Sequence, residues 1–147
     1  MIQRIQTLYI FFAAVLTALL LKLNFAELVV DGEWYVFNAK GILRSDEVIF
    51  NGLPVMGFIM LITFLHLLII FLYKNRIRQI RLLGFTIILL LGLSGVMIYF
   101  LYAGFDDADV VFKIPMIFPL LAGLLDYMAI RSIGKDELLV RSMDRIR

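Results

Sequence analysis

LVVDGEWYVF, residues 28–37, interrupts a chain that is otherwise dominated by long apolar runs. Asp31-Gly32 separates two short β-prone stretches there. A dipeptide of this kind between such stretches is a strong hairpin signal, because a type I′ turn needs positive φ at both central positions. Val48-Ile49-Phe50 offers a further short β-prone run in the same segment. Taken as a small hairpin on a membrane surface, with Trp34 and Tyr35 in the interfacial aromatic belt, this segment leaves the fold class to the runs around it. A recognition platform presenting Trp34 and Tyr35 is the sharper alternative, and the belt is where such rings usually sit.

Those surrounding runs are membrane-like. The 147 residues are 63% hydrophobic, against roughly 45–50% in a soluble domain, and the mean hydropathy is +0.97. There is no cysteine, which excludes disulfides, thiolate metal sites and cysteine nucleophiles. The single histidine, His66, leaves little for a zinc site or a His-based triad. No catalytic, cofactor-binding or metal-ligating set is therefore expected, and the protein does not read as an enzyme. AGFDDAD, residues 103–109, gathers three carboxylates, but a Ca²⁺ site wants six to eight oxygens from a longer loop. A solvated acidic turn is the plainer reading.

Charged residues divide the chain into four apolar spans, at about 5–22, 54–73, 82–102 and 113–131, near the ~20 residues that a ~30 Å hydrocarbon core requires. Arg4, Lys22, Lys113 and Arg131 would snorkel at the ends of the shorter two. Pro54 suits the first turn of the second span, and Pro119 is expected to kink the fourth. The first run reads as an uncleaved span, since Asn24-Phe25-Ala26 is a poor cleavage site. The expected fold is all-α: an antiparallel four-transmembrane-helix bundle in one membrane domain. It carries an outer loop at 24–51 with the hairpin and a tail at 134–147.

Basic residues set the orientation. With the N-terminus inside, the inner segments hold Arg4, Lys74, Arg76, Arg78, Arg81, Arg131, Lys135, Arg141, Arg145 and Arg147, and the outer ones only Lys22, Lys40, Arg44 and Lys113. Ten against four places both termini in the cytoplasm. The surplus of basic charge then needs no nucleic acid to explain it.

Two ionisable residues fall inside spans, and such residues are functional suspects. His66 lies seven positions from the inner end of its span and Asp126 five from the inner end of its own, so their depths differ by roughly 3 Å at 1.5 Å per residue. Antiparallel packing would set them side by side as a proton-relay element. The plainer alternatives have His66 bonded to Thr86 or Thr63, and Asp126 reaching Arg131, Arg4 or the base of the inner loop. Gly92, Ser94 and Gly95 are small residues that let helices approach.

The inner loop YKNRIRQIRL (73–82) carries four positive charges. It suits anionic headgroups, an acidic partner or RNA phosphates, or it serves topology alone. In the tail KDELLVRSMDRIR (135–147), acids precede arginines, Glu137 and Arg141 are an i,i+4 pair, and Leu139, Met143 and Ile146 form one apolar stripe. With Gly134 as a C-cap for the span before it, the tail reads as a short, separate amphipathic helix on the inner leaflet.

MIQRIQT at the start, YKNRIRQIRL in the middle and AIRSIGKDELLVRSMDRIR at the end together resemble a family of bacterial four-span inner-membrane proteins, domain of unknown function 4293, over essentially the whole chain. The resemblance implies a fold and a compartment, the bacterial inner membrane, and no chemistry. It also implies a residue-specific cytoplasmic pattern at Arg4, Gln6, Asn75, Arg76, Gln79, Arg81, Arg131, Arg141, Asp144 and Arg145. Forked arginine donors with carboxylate and amide acceptors are the material of an interlocking polar cluster. With Lys74, Lys135, Asp136 and Glu137, these residues make up the candidate interaction face. His66 and Asp126 belong to no part of that pattern.

The expected function is that of an accessory or assembly subunit, docking a membrane or cytoplasmic protein, or anionic lipid, through its basic cytoplasmic face. The first alternative is a small proton-linked transporter or channel subunit using His66 and Asp126. The second is a membrane anchor for a nucleic-acid machine.

Overall fold

The computed structural model describes residues 3–45, 47–103 and 108–144, and side chains within 5–45, 47–102 and 108–138. Helix α1 (Gln3–Leu19) leads into four strands, β1 (Asn24–Val30), β2 (Glu33–Asn38), β3 (Gly41–Arg44) and β4 (Glu47–Asn51). Helices α2 (Leu53–Phe71) and α3 (Arg76–Ala103) follow, then β5 (Asp109–Phe112), a 3₁₀ turn over Ile114–Ile117, and α4 (Phe118–Asp144). The close helix pairs are α1–α2, α2–α3, α3–α4 and α4–α1, so the four helices form a ring.

The five strands make one antiparallel sheet in the order β4-β3-β2-β1-β5. This overturns the all-α expectation: the chain is α+β. The hairpin at Asp31-Gly32 forms as read, with Val30 opposite Glu33 and φ of 52° and 81° at the two turn residues. It is only the middle of the sheet. Gly41 begins β3 at φ 123°, where a Cβ would fall 1.9 Å from the Phe50 carbonyl oxygen, so only glycine lets β3 and β4 approach there. Val48-Ile49-Phe50 lies in β4, at one edge.

β5 is recruited from the connection between α3 and α4 and pairs Ala26–Val29 of β1 with Asp109–Phe112. Unpaired backbone groups beside apolar surroundings are costly, and β5 supplies partners for one edge of β1. Lys113 extends the contact, its N–H donating to the Phe25 carbonyl at 2.9 Å and its ammonium paired with Glu27.

The sheet is part of the core. Phe25, Leu28, Phe37 and Ile42 are fully buried against Leu20, just past α1, and Ile59, Ile62, Leu93, Met97 and Leu101 of the helical ring. Phe37 stands edge-on to Phe25 and stacks on Phe100 of α3, with ring centroids 5.2 and 6.0 Å apart. Trp34 and Tyr35 separate by strand alternation: Trp34 is exposed and Tyr35 is buried, its hydroxyl donating to Glu33 at 3.3 Å.

Among the described residues, three helices are long and apolar enough to cross a membrane, within Leu53–Phe71, Arg76–Tyr102 and Ile114–Leu138. Four were expected. The apolar part of α1, Ile5–Leu19, is shorter, and its 15 residues reach about 22 Å against a ~30 Å core. The helical ring is apolar outward, with Phe11, Phe64, Phe85, Ile88, Leu91 and Leu124 exposed, while Thr17, His66, Thr86 and Asp126 are buried inside it. Lipid is the surroundings that such a surface suits.

Helix boundaries bring further corrections. α3 begins at Arg76, so most of the basic run read as a loop is helix. The fourth apolar span starts at Ile114, beside the expected residue 113, with the 3₁₀ turn; α4 itself begins at Phe118 with Pro119 as its second residue, where proline is tolerated and the expected kink is not required. Nor is there a separate tail helix, because α4 continues through Gly134 to Asp144. Glycine costs only about 1 kcal/mol inside a helix, and the residues around Gly134 are good helix formers that keep the chain helical.

Candidate functional site

Two polar assemblies stand out, one inside the helical ring and one at the end remote from the sheet. Inside, His66 of α2, Thr86 of α3 and Asp126 of α4 are all fully buried. His66 Nε2 lies 3.1 Å from each Asp126 carboxyl oxygen, and the Thr86 hydroxyl lies 2.8 Å from Asp126 Oδ2. The two residues meet across the ring, since α2 and α4 are not among its closely packed pairs. Of the alternatives read from sequence, Thr86 bonds Asp126 and not His66, while Thr63 donates to Thr17 at 3.3 Å. Asp126 reaches His66 and Thr86, and Arg131 is exposed.

The hydrogen-bond pattern limits where protons can be. His66 Nδ1 is 2.9 Å from the Ile62 carbonyl oxygen, which can only accept, so Nδ1 carries a hydrogen. The remaining choice is confined to the His66–Asp126 contact. Either Nε2–H donates to a carboxylate, or a protonated Asp126 donates to Nε2. Both leave the pair without net charge, the condition under which such a pair is least costly to bury. The Thr86 hydroxyl is also 2.8 Å from the Leu83 carbonyl, and with one hydrogen it can serve that acceptor or Asp126. Among the described residues, no buried side-chain nitrogen or oxygen lacks a partner. Chemically the trio can hold one proton between two heteroatoms, and mechanically it ties three helices together.

The second assembly lies about 10 Å along α3 from the first, seven residues separating Thr86 from Gln79. Gln6 of α1 donates from Nε2 to Asp136 Oδ2 of α4 at 2.5 Å, both residues being buried. Gln79 of α3 donates to the Ile69 carbonyl at 3.1 Å, in the last turn of α2, as a second donor beside the Leu72 N–H. Arg76 stands 3.8 Å from Glu137 of α4, both partly buried. All four helices are thus joined at this end by side chains from the start, middle and tail of the chain. Asp136 reaches Gln6 only because α4 continues past Gly134.

Two recesses open beside these bonds. One, of about 440 Å³, is lined by Gln6, Thr7, Leu8, Phe11, Ile70, Tyr73, Arg76 and Gln79. The other, of about 580 Å³, is lined by Lys74, Asn75, Arg76, Ile77, Arg78, Arg81 and Glu137. Arg76, Arg78 and Arg81 belong to the first turns of α3, whose first turn holds no acid. Cations at the positive end of a helix are unfavourable by roughly 0.3–1 kcal/mol each, so positive potential is concentrated there. Among the described residues no carboxylate pairs with Arg78 or Arg81, and Lys74 lies 6.0 Å from the Tyr73 ring centroid.

Of the candidate face, Gln6, Lys74, Asn75, Arg76, Gln79, Arg81, Asp136 and Glu137 come together at this end. Arg131 and Lys135 are exposed on α4 and line neither recess. The side chains of Arg4, Arg141, Asp144 and Arg145 lie outside the described residues, as do the tail's apolar stripe and most of the acidic turn at 103–109. The sequence reading left out Arg78 and the wall formed by Leu8, Phe11 and Ile70. Arg78 had a signal, standing between Arg76 and Arg81 in one run; the wall had none, because its residues look like any span.

The sequence matches the family described as Domain of unknown function (DUF4293) over residues 2–146, and the chain belongs to that family. No curated protein and no solved structure matches it significantly.

Proposed function

We propose that this family member is a non-enzymatic, multi-pass protein of the bacterial inner membrane, with both termini cytoplasmic. Its basic end serves as a docking face, so that the protein acts as an accessory or assembly subunit. The observation that supports this is the groove beside Arg76: among the described residues, Lys74, Arg76, Arg78 and Arg81 meet a single carboxylate, Glu137, on its walls. Its surplus of positive charge would attract an acidic surface and speed its approach. The bonds of Gln6, Gln79 and Arg76 hold the groove's framework in one geometry.

Charge reversal at Arg78 and Arg81 tests the reading without touching those bonds. The protein would be cross-linked in its own membranes, isolated in mild detergent, and its cross-linked partners identified by mass spectrometry. A stoichiometric partner captured by the native chain and lost from Arg78→Glu/Arg81→Glu is the expected result. An unchanged cross-linking pattern would overturn the docking face.

A second reading is favoured by the 3.1 Å His66–Asp126 contact: a small proton-linked transporter or channel subunit. Intramembrane ionisable pairs recur in proton pathways. Proton flux into liposomes that falls to background in both His66→Gln and Asp126→Asn would support it, and flux indistinguishable from empty liposomes in the native protein would remove it.

A further inference from the structure

We propose that the cleft between the start of α1 and the α2–α3 turn is a binding site for one anionic phospholipid. The site rests on the membrane placement and orientation proposed above and names one ligand of the basic end. Its wall changes character along α1. Gln6, Arg76 and Gln79 supply its polar lining, and Leu8, Phe11 and Ile70 its apolar lining. From Gln6 to Phe11 is five residues, about 7.5 Å of rise. Leu8 and Phe11 are 50% and 52% exposed, so the slot opens sideways into the surroundings of the apolar helices.

Arg76 is shared by the slot and the neighbouring groove, which adds Lys74, Arg78 and Arg81. A cationic mouth thus leads directly into an apolar slot. That gradient matches a phospholipid, with phosphate and glycerol at the mouth and the first methylenes of an acyl chain against Leu8, Phe11 and Ile70. A guanidinium fork suits a phosphate's paired oxygens. Among the described lining residues, four cations against one carboxylate favour a headgroup with net negative charge over a zwitterionic one.

Inorganic phosphate would occupy the mouth and leave the apolar wall uncovered.

The test is native mass spectrometry of the full, delipidated chain in mild detergent, titrated with phosphatidylglycerol or with phosphatidylcholine of the same acyl chains. A one-to-one complex that prefers phosphatidylglycerol is expected. Arg76→Gln with Arg78→Gln should weaken it roughly 30-fold, at about fivefold for each basic residue near a membrane surface. Lys22→Gln with Lys40→Gln removes the same charge near the sheet and should leave binding unchanged. Leu8→Trp, which fills the slot at constant charge, should weaken it at least tenfold. Equal binding of the two lipids, native affinity in Leu8→Trp, or displacement by an equal concentration of the tail-free headgroup glycerophosphoglycerol would each overturn the site. The docking face is read separately: a cross-linked partner still sensitive to reversal at Arg78 and Arg81 survives failure of the lipid site, and its absence alongside selective lipid binding removes only the protein dock.

Discussion

Substituting Asp126 with leucine, alone and together with His66→Leu, asks what the buried trio contributes. Asp126 meets two partners, His66 Nε2 at 3.1 Å and the Thr86 hydroxyl at 2.8 Å. Interhelical hydrogen bonds in membrane proteins average about 0.6 kcal/mol and reach about 1.7, so losing both amounts to roughly 1–3.5 kcal/mol. Thr86 keeps the Leu83 carbonyl at 2.8 Å and is not stranded. His66 keeps Ile62 through Nδ1 but leaves Nε2 buried and unpartnered, which costs about 1–3 kcal/mol where no water enters. We therefore expect Asp126→Leu to destabilise the protein by about 2–6 kcal/mol. Removing both partners leaves no stranded ring nitrogen, and apolar replacements of a buried pair are often close to neutral. The double variant should accordingly be more stable than Asp126→Leu, with a coupling energy of about 1.5–3 kcal/mol. Equilibrium unfolding in mixed micelles, followed by far-UV circular dichroism across the four-variant cycle, measures it. Additive single-variant losses, with coupling under about 0.5 kcal/mol, would refute the claim that the trio is one interlocked unit.

Three further outcomes test the fold. Gly134→Ala should raise stability by up to about 1 kcal/mol, because α4 passes through this position and an added Cβ meets nothing; a drop in the same unfolding assay would mean that the helix breaks there. Gly41→Ala should open the β3–β4 pairing, since its Cβ would meet the Phe50 carbonyl oxygen at 1.9 Å, and hydrogen exchange should rise in residues 41–51 with little change in α3. Phe37→Ala should cost about 3–5 kcal/mol, as the ring is fully buried between Phe25 and Phe100; a loss under 1 kcal/mol would show the sheet to be an appendage of the helices.

Local signals carried the hairpin and the long helices. Asp31-Gly32 between β-prone runs specifies its own turn, because the two positive φ values are a property of neighbouring residues. Leu53–Phe71 is apolar enough to be recognised by composition alone. The charged end was legible as a set of residue types, but not as a list of partners. That Gln6 meets Asp136, 130 positions away, depends on α1 and α4 packing side by side. Gln79 resembles any polar residue near a span end until its amide is seen on the Ile69 carbonyl.

By itself the sequence determined that apolar helices dominate the chain, where its turn falls, which end is basic, and that His66 and Asp126 lie at similar depth. Each of these follows from composition or from spacing along one element. Only the tertiary structure decided that the fold is α+β, because β5 is four residues long and becomes a strand only where β1 offers an edge to pair. Only it decided that α4 runs on through Gly134, since the cost of one glycine is smaller than what flanking helix formers and the Asp136 contact return. And only it turned His66 and Asp126 from neighbours in depth into bonded partners, because their meeting requires two helices to face each other across the ring.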